Sequence, residues 1–415
     1  MSTLRFPFVV AFAVSLTTVP ALAQTKLRAR DLGVPLDGTP GPLNAITDVP
    51  GVTVGHATII RGSGPLKPGE GPVRTGVTAI LPRGVDLSDP VFAGWFTMNG
   101  NGEMTGTTWV QESGFLEGPV MITNTHSVGV VRDAVIQWMV RRGGESLWAL
   151  PVVAETWDGR LNDLNGFHVT AEHAFAALDG ARDGPVPEGN VGGGTGMVCH
   201  QFKGGIGTAS RRVEVAGATY TVGVLVQCNY GSRSLLRVAG VPVGRAIPDL
   251  LPCYERPPAG RRGVPSCGDA EPGREPDAGP VEAEREAELG SIIIVAATDA
   301  PLLPHQLTRI AKRTSLGVAK MGGIASNGSG DIFIAFSTAN RGAGLDRGTA
   351  HLTAVANGEM TPLFLATVEA TEEAILNALI AAETMTGADD FRVYALPHDR
   401  LREVLTKSGR LAGGR

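Results

Sequence analysis

A serine at the boundary between a polar segment and an apolar strand is the first candidate for chemistry in this 415-residue chain. Gly290 and Ser291 separate a charged, proline-rich segment from the run "SIIIVAATDA" at 291–300. A glycine turn followed by a strand-edge serine is ordinary by itself. This serine is a stronger candidate because its hydroxyl stands where an accessible loop enters a core strand.

The common arrangements that activate a serine are absent from the sequence. No GxSxG elbow and no SxxK motif occurs. A serine at a chain N-terminus carries its own base, since an unperturbed α-amino group has a pKa of roughly 7.7–8.0. Ser291 gains that amine only if the peptide bond after Gly290 is cut, and glycine there presents an unhindered carbonyl to the serine hydroxyl. The sequence therefore permits self-processing, although spacing alone does not establish it.

Other motifs argue against cofactor chemistry. The glycine-rich stretch "EGNVGGGTGMVCH" at 188–200 fits neither a phosphate-binding loop nor a dinucleotide fingerprint, and we interpret it as a backbone turn near a site. No CxxC or HExxH motif occurs, and the eight histidines are scattered, so metal-ligand spacing is missing. We expect no metal and no organic cofactor.

Composition and the N-terminus indicate an exported globular protein. Of the residues, 43% are hydrophobic and 19% charged, and the net charge of −5 with no basic patch argues against nucleic acid as a partner. Residues 1–23 have the pattern of a signal peptide, with Arg5, an apolar stretch and Ala21-Leu22-Ala23 before the cleavage point. We expect a periplasmic or secreted mature protein that is not held in a membrane.

The four cysteines lead to two different expectations. Cys253 and Cys267 bracket a loop rich in proline, glycine and arginine, and their separation suits a local disulfide in an oxidising compartment. Cys199 and Cys228 lie in apolar, strand-like surroundings, and we expect them to be buried thiols.

Hydrophobic periodicity predicts a layered α/β or α+β protein. The segment 252–290 interrupts the pattern with seven prolines and many charges, which predicts an exposed and mobile loop. Strands are predicted at 76–82, 146–156, 219–229, 291–300 and 330–339, and helices at 127–142, 169–180, 304–322 and 362–387.

Eight segments of the chain form a recognisable pattern in one order, and together they are more specific than any one of them. They are "ITDVPGVTVGH" (46–56), "TGVTAILPRG" (75–84), "ITNTHSVGVVRDA" (122–134), "ETWDGRLNDLNG" (155–166), "GNVGGGTGM" (189–197), "QCNYG" (227–231), "LGSIIIVAATDAPLLPHQL" (289–307) and "GSGDIFIAFSTAN" (328–340). With these segments the chain resembles the P1 peptidase family, which contains the L-aminopeptidase/D-esterase and β-aminopeptidase proteins.

The resemblance implies an αββα sandwich of the N-terminal-nucleophile type, a single large domain made of two chains cut from one precursor. The large chain would span 24–290 and the small chain 291–415, and we expect a homo-oligomer of this processed unit. The implied activity is hydrolysis of short peptides, amino-acid amides or esters at a free N-terminus through an acyl-enzyme.

The resemblance also assigns roles to single residues. Ser291 matches the nucleophile, and Gly290–Ser291 the self-cleaved bond. Ser329 and Asp331 match the supporting serine and acid, Asn229 the oxyanion-hole amide, and Glu155 the acid that receives the substrate ammonium. The residue types suit these roles, since an amide can donate to an oxyanion and a carboxylate can pair with an ammonium group.

Two departures from the family pattern bear on substrate choice and processing. Trp157 stands where relatives that act on ordinary amino acids tend to have tyrosine, which favours β-amino residues that can lie flat on an indole. The 252–290 segment is longer than the usual linker.

Two alternatives remain open from the sequence, namely an acyltransferase of related fold and an unprocessed periplasmic ligand-binding protein.

Overall fold

The computed structural model describes residues 26–143, 148–257, 265–268, 290–345 and 347–411. The predicted signal peptide, 1–23, and most of the predicted mobile segment lie outside the described residues. The structure therefore covers most of residues 24–290 and nearly all of residues 291–415.

Two β-sheets form the centre of the described chain. One sheet has four strands in the order β1-β2-β5-β6, and the other has six in the order β4-β3-β13-β12-β10-β9. The strands of the first sheet are β1 (Thr53–Arg61), β2 (Val73–Val85), β5 (Val120–Asn124) and β6 (Val152–Thr156). Those of the second are β3 (Val91–Gly100), β4 (Phe115–Leu116), β9 (Gly205–Val215), β10 (Ala218–Asn229), β12 (Ser291–Thr298) and β13 (Gly330–Ser337).

Helices and short strands complete the described structure. The helices are α1 (Thr107–Ser113), α2 (Val128–Gly143), α3 (Ala171–Asp179), α4 (Val243–Ala246), α5 (Pro304–Lys320), α6 (Thr361–Ile380) and α7 (His398–Lys407). The short strands are β7 (Val198–Cys199), β8 (Phe202–Lys203), β11 (Cys253–Tyr254), β14 (Met385–Thr386) and β15 (Phe391–Val393). Among the described residues, no helix is both long enough and apolar enough to cross a bilayer.

Strand periodicity separates the two faces of each sheet. On β12, Ile293 and Val295 belong to the apolar layer between the sheets, whereas Ile292 and Ile294 belong to the layer beneath α5 and α6. The outer face of the four-stranded sheet packs on α2 and α3 in the same way. This arrangement of helices, two sheets and helices confirms the predicted αββα sandwich.

The predicted elements are confirmed except at one end of a strand and one end of a helix. The strand predicted at 146–156 begins only at Val152, and residues 148–151 precede it without strand structure. The apolar pattern at 362–387 predicts a helix that ends at Gly387, but α6 ends at Ile380 and a short strand follows it. Helical spacing puts Leu365 on one apolar stripe with Val368, Ile375 and Leu379, yet Leu365 is 58% exposed. The second half of α6 is buried nearly all round. A single apolar stripe therefore does not define which face of this helix is buried.

The cysteines form two disulfides in the described residues. Cys253–Cys267 is present, which confirms the prediction. The prediction of free thiols at Cys199 and Cys228 is wrong, because the structure joins them. Their sequence separation of 29 residues gave no sign that β7 lies against the end of β10.

A close approach of backbone to backbone joins β9 to α6. A β-carbon added at Gly207 would lie 2.0 Å from the carbonyl oxygen of Ala374 and 2.5 Å from the backbone nitrogen of Ala378. We expect Gly207→Ala to lower the free energy of unfolding by about 1–3 kcal/mol, because neither helix atom can move independently. Thermal unfolding measures the loss. Gly129→Ala is the matched control, since Gly129 is exposed on α2 with open space around it. Equal melting temperatures for the two variants would contradict the packing argument.

Candidate active site

Ser291 lies at the meeting point of three strands. It is the first residue of β12 and pairs with Asn229 of β10 on one side and Gly330 of β13 on the other. Only 4% of Ser291 is exposed, and the carbonyl oxygen of Gly290 accepts a 3.2 Å hydrogen bond from the backbone N–H of Gly330. The Gly290–Ser291 peptide bond is thus held in place by the strands on both sides.

The side-chain amide of Asn229 is oriented by two hydrogen bonds. Its Oδ1 accepts from the backbone N–H of Val198 at 2.7 Å, and its Nδ2 donates to the carbonyl oxygen of Trp157 at 2.9 Å. An amide nitrogen carries two hydrogens, so a second donor is available for an oxyanion that forms beside Ser291. The bond from Val198 determines which end of the amide is the donor.

Ser329 and Asp331 lie on the other side of the serine. The Ser329 hydroxyl donates to Oδ1 of Asp331 at 2.6 Å, and the two residues flank Gly330, the strand partner of Ser291. Burial raises the pKa of Asp331 from its ordinary 3.8 to about 6, although hydrogen bonds from Ser329 and from the Ile292 backbone oppose the shift. This carboxylate can accept a proton near neutral pH, or orient an ammonium group on Ser291.

Glu155 provides a second buried carboxylate at the end of β6. Oε1 accepts from the backbone N–H of Glu103 at 3.0 Å, and Oε2 accepts from the Thr125 hydroxyl. Burial raises the pKa of Glu155, while these two bonds favour the ionised form. A β-carbon at Gly102 would lie 3.2 Å from Oε1 of Glu155 and 3.1 Å from Cα of Gly330, which places this carboxylate close to the strand partner of Ser291.

Trp157 lies two residues beyond Glu155 and contacts Asn229 through its main chain. Its indole is partly buried and packs over Gly159, where a β-carbon would lie 2.7 Å from the ring. The Arg160 guanidinium lies 6.0 Å from the ring centroid. The indole therefore covers the backbone at Gly159, while the main-chain carbonyl of Trp157 contacts the Asn229 amide.

The structure brings all the predicted site residues together. Ser291, Asn229, Ser329 and Asp331 meet at the ends of β10, β12 and β13, and Glu155 and Trp157 approach from β6. Their individual catalytic roles stay predictions. The glycine-rich stretch does form a turn, at Gly192–Gly194, and the backbone of Val198 just after it reaches Asn229.

Sequence reasoning missed two residues of this site. Thr125 binds Glu155, and Tyr230 lines a small surface pocket together with Ser326 and Ser329. Burial and the neighbouring Asp331 raise the pKa of Tyr230 well above its usual value, so the phenol is neutral. Both residues fall inside segments that match the family, at 122–134 and 227–231, so the signal was present but no role was attached to it.

The geometry agrees with comparisons to known proteins. The model of peptidase family S58 matches residues 44–393. The chain belongs to peptidase family S58. It is 52% identical over 417 residues, spanning all of both chains, to the β-peptidyl aminopeptidase BapA of Sphingosinicella microcystinivorans.

Two solved structures extend the likeness to the fold. The L-aminopeptidase D-Ala-esterase/amidase of Ochrobactrum anthropi, described as a variant of the Ntn hydrolase fold, matches with a TM-score of 0.80 and 47% identity over 93% of this chain and 99% of that one. A β-aminopeptidase of Burkholderia sp. matches with a TM-score of 0.78 and 46% identity over 94% and 100%. This S58 member is therefore a peptidase with an N-terminal-nucleophile hydrolase fold.

The pKa of Asp331 generates a prediction that separates activity from stability in this S58 peptidase. Because the folded pKa of about 6 exceeds the ordinary 3.8, the folded state takes up a proton as the pH falls from 6 towards 4, and the free energy of unfolding falls as the pH rises through that window. In a chain kept uncleaved by Ser291→Ala, we expect Asp331→Asn to increase the resistance to heat at pH 7. In the enzyme with Ser291 intact, we expect the same substitution to lower kcat roughly a hundredfold or more.

Asp299→Asn is the matched control for this prediction. Burial also raises the pKa of Asp299, which accepts a hydrogen bond from the Thr221 backbone at the opposite end of β12. The control should retain wild-type kcat. A fully active Asp331→Asn enzyme would show that this carboxylate takes no part in the reaction.

Proposed function

We propose that this chain is a self-processing serine aminopeptidase whose nucleophile is Ser291, and that it releases N-terminal residues from short peptides, amino-acid amides or esters. The observation that carries the proposal is the position of Ser291. Its hydroxyl belongs to the first residue of a fully buried central strand, directly beside the Asn229 amide and the Ser329–Asp331 pair. These neighbours supply what a serine nucleophile requires, namely a donor for the oxyanion and a supporting acid.

Processing is an acyl shift followed by hydrolysis. Oγ of Ser291 attacks the carbonyl carbon of Gly290, the C–N bond breaks, and the amide nitrogen takes a proton to become the α-amine of Ser291. Water then hydrolyses the ester, which leaves a carboxylate on Gly290 and restores the hydroxyl. The products are a large chain of 24–290 and a small chain of 291–415.

Turnover uses the amine that processing creates. The α-amine accepts the proton of the Ser291 hydroxyl as Oγ attacks the carbonyl after the first residue of the substrate. Asn229 donates to the oxyanion, the leaving amine takes up the proton, and an acyl-enzyme forms. Water completes the cycle. The Asp331 carboxylate lies where it can orient the ammonium form of Ser291.

Glu155 is proposed as the anchor of the substrate ammonium group. Its carboxylate is 3% exposed and is bound by neutral donors, so a cation would compensate its burial. A β-amino residue places its ammonium one carbon further from the scissile carbonyl than an α-amino residue does. The 52% identical relative is named a β-peptidyl aminopeptidase, which together with Trp157 favours β-amino residues as the preferred substrates.

The cellular setting follows from the N-terminus and the cysteines. The signal-peptide pattern of residues 1–23 supports export, and two disulfides within the described chain are typical of proteins that function outside the cytoplasm. We propose a periplasmic or secreted enzyme that assembles as a homo-oligomer of processed units. Its partners are small substrates rather than nucleic acid or membrane.

Processing predicts two chains from one gene product. Denaturing electrophoresis of purified protein should give two bands, and N-terminal sequencing of the smaller should read Ser-Ile-Ile-Ile. Ser291→Ala should remain one inactive chain, whereas Ser315→Ala, which changes a partly exposed serine on α5, should be cut as in the wild type. A single intact wild-type band would favour the binding-protein alternative, and a cut, active Ser291→Ala would refute the proposed nucleophile.

The ammonium anchor predicts strict dependence on a free N-terminus. N-acetylated peptides should be poor substrates, and Glu155→Gln should lower kcat/KM for free-amine substrates by roughly ten- to a thousandfold, at about 1.4 kcal/mol per decade. Glu103→Gln is the matched control, because it removes an exposed carboxylate next to the same site. Equal cleavage of acetylated and free peptides by the wild type would instead indicate a general amidase or esterase.

A further inference from the structure

Lys203 is a completely buried lysine near the proposed site that the mechanism does not use. Its exposure is 0%, and its bonding partners in the described part of the chain are backbone carbonyl oxygens. Nζ donates to Met197 and Gly204 at 2.8 Å each and to Gly194 at 3.4 Å. Burial, with a smaller effect of Lys26, lowers the pKa of Lys203 well below its usual value. Burying an amine away from water costs free energy, so we expect Lys203 to have a structural or functional role.

The peptide unit between Met197 and Val198 connects Lys203 to Asn229. Its carbonyl oxygen accepts from Nζ of Lys203 at 2.8 Å and from the backbone N–H of Gly204 at 2.9 Å. Its N–H donates to Oδ1 of Asn229 at 2.7 Å. Because a peptide unit is planar and rigid, whatever orients its carbonyl also orients its N–H. A side-chain donor on the carbonyl also polarises the unit and strengthens its N–H as a donor.

The hairpin that carries both residues is attached to the end of β10. Val198 and Lys203 are partners in the β7–β8 pair, joined by His200 and Gln201, whose φ angles of 48° and 57° are both left-handed. Without glycine, that turn is not favoured locally. It is held by the Cys199–Cys228 disulfide and by a 2.7 Å bond from the His200 N–H to the carbonyl of Tyr230. These links flank Asn229 on both sides in the sequence.

We infer that Lys203 is a positioning residue for the oxyanion-binding amide of Asn229, an inference that rests on the proposed function. Lys203 fixes the Met197–Val198 peptide, and the N–H of that peptide requires Oδ1 of Asn229 to face it. Nδ2 must then lie on the other side, towards Trp157 and the nucleophile. Without the Lys203 amine, the Met197–Val198 peptide can tilt. The Asn229 amide can then turn its oxygen towards the oxyanion, and the two oxygens would repel each other.

Four proteins test this inference: the wild type, Lys203→Met, Asn229→Ala and the double variant. Rates are expressed per cleaved chain with an amino-acid amide as substrate, and the rate of precursor cleavage is read in the same four proteins. Lys203→Met should lower kcat about ten- to a hundredfold, less than the 10²–10³ typical for loss of an oxyanion donor, while KM stays within about twofold. In the Asn229→Ala background the same change should cost nothing further.

Arg211→Met serves as the matched control for removal of a buried cation. Arg211 lies on β9 opposite Val222 of β10, far from Asn229. Its side chain is 1% exposed and pairs with Glu373 of α6. Its loss should lower the melting temperature and leave kcat per folded enzyme unchanged. If Lys203→Met does not fold, Lys203→Gln, which retains a shorter polar donor, takes its place.

The outcomes distinguish the inference from the proposed function. A wild-type kcat for Lys203→Met, beside a slow Asn229→Ala, overturns the positioning role alone. Losses that multiply in the double variant overturn it too, because they indicate independent action. A fully active Asn229→Ala removes the oxyanion role and thereby the proposed function's use of this amide.

Discussion

The structure depends on the pairing of one short strand on both of its edges. β12 is buried along all eight of its residues and bonds to β10 on one side and β13 on the other. Ser291 is the first of these residues, so its register sets the position of Asn229 and of the segment from Ser329 to Asp331 at the same time. A slip of one residue would turn Ser291 to the opposite face and exchange the two apolar layers. The geometry of the candidate site and the packing of the core are therefore constrained by the same hydrogen bonds.

Several polar groups around this strand end are buried and matched to a donor or acceptor. Glu155 accepts from Thr125 and the Glu103 backbone, Asp331 accepts from Ser329, and Lys203 donates to main-chain carbonyls. Low exposure strengthens such bonds and penalises charge, which is why burial raises the pKa values of both carboxylates. An ammonium group from substrate or from processed Ser291 would relieve that penalty. The site is therefore better suited to a cationic ligand than to a neutral one.

Local sequence signals failed where neighbours come from distant parts of the chain. The thiols predicted at Cys199 and Cys228 form a disulfide because a hairpin with a glycine-free turn packs on the end of β10. The helix predicted to reach Gly387 ends at Ile380, because the chain then turns into a small sheet with β15. Lys203 carried no signal at all, since a lone lysine in sequence resembles a surface residue. In each case the deciding contact joins segments that periodicity cannot relate.

The sequence by itself determined the layered class, most of the strands and helices, and a set of candidate site residues. Strand and helix periodicities depend only on which residues are apolar, and the Gly290–Ser291 junction is visible as a change from polar to apolar composition. The ordered family segments then named Glu155, Asn229 and Asp331. Only the tertiary structure decided that these residues meet at one end of two facing sheets. Strand order and register arise from pairing across long sequence separations, whose free energy no local pattern records.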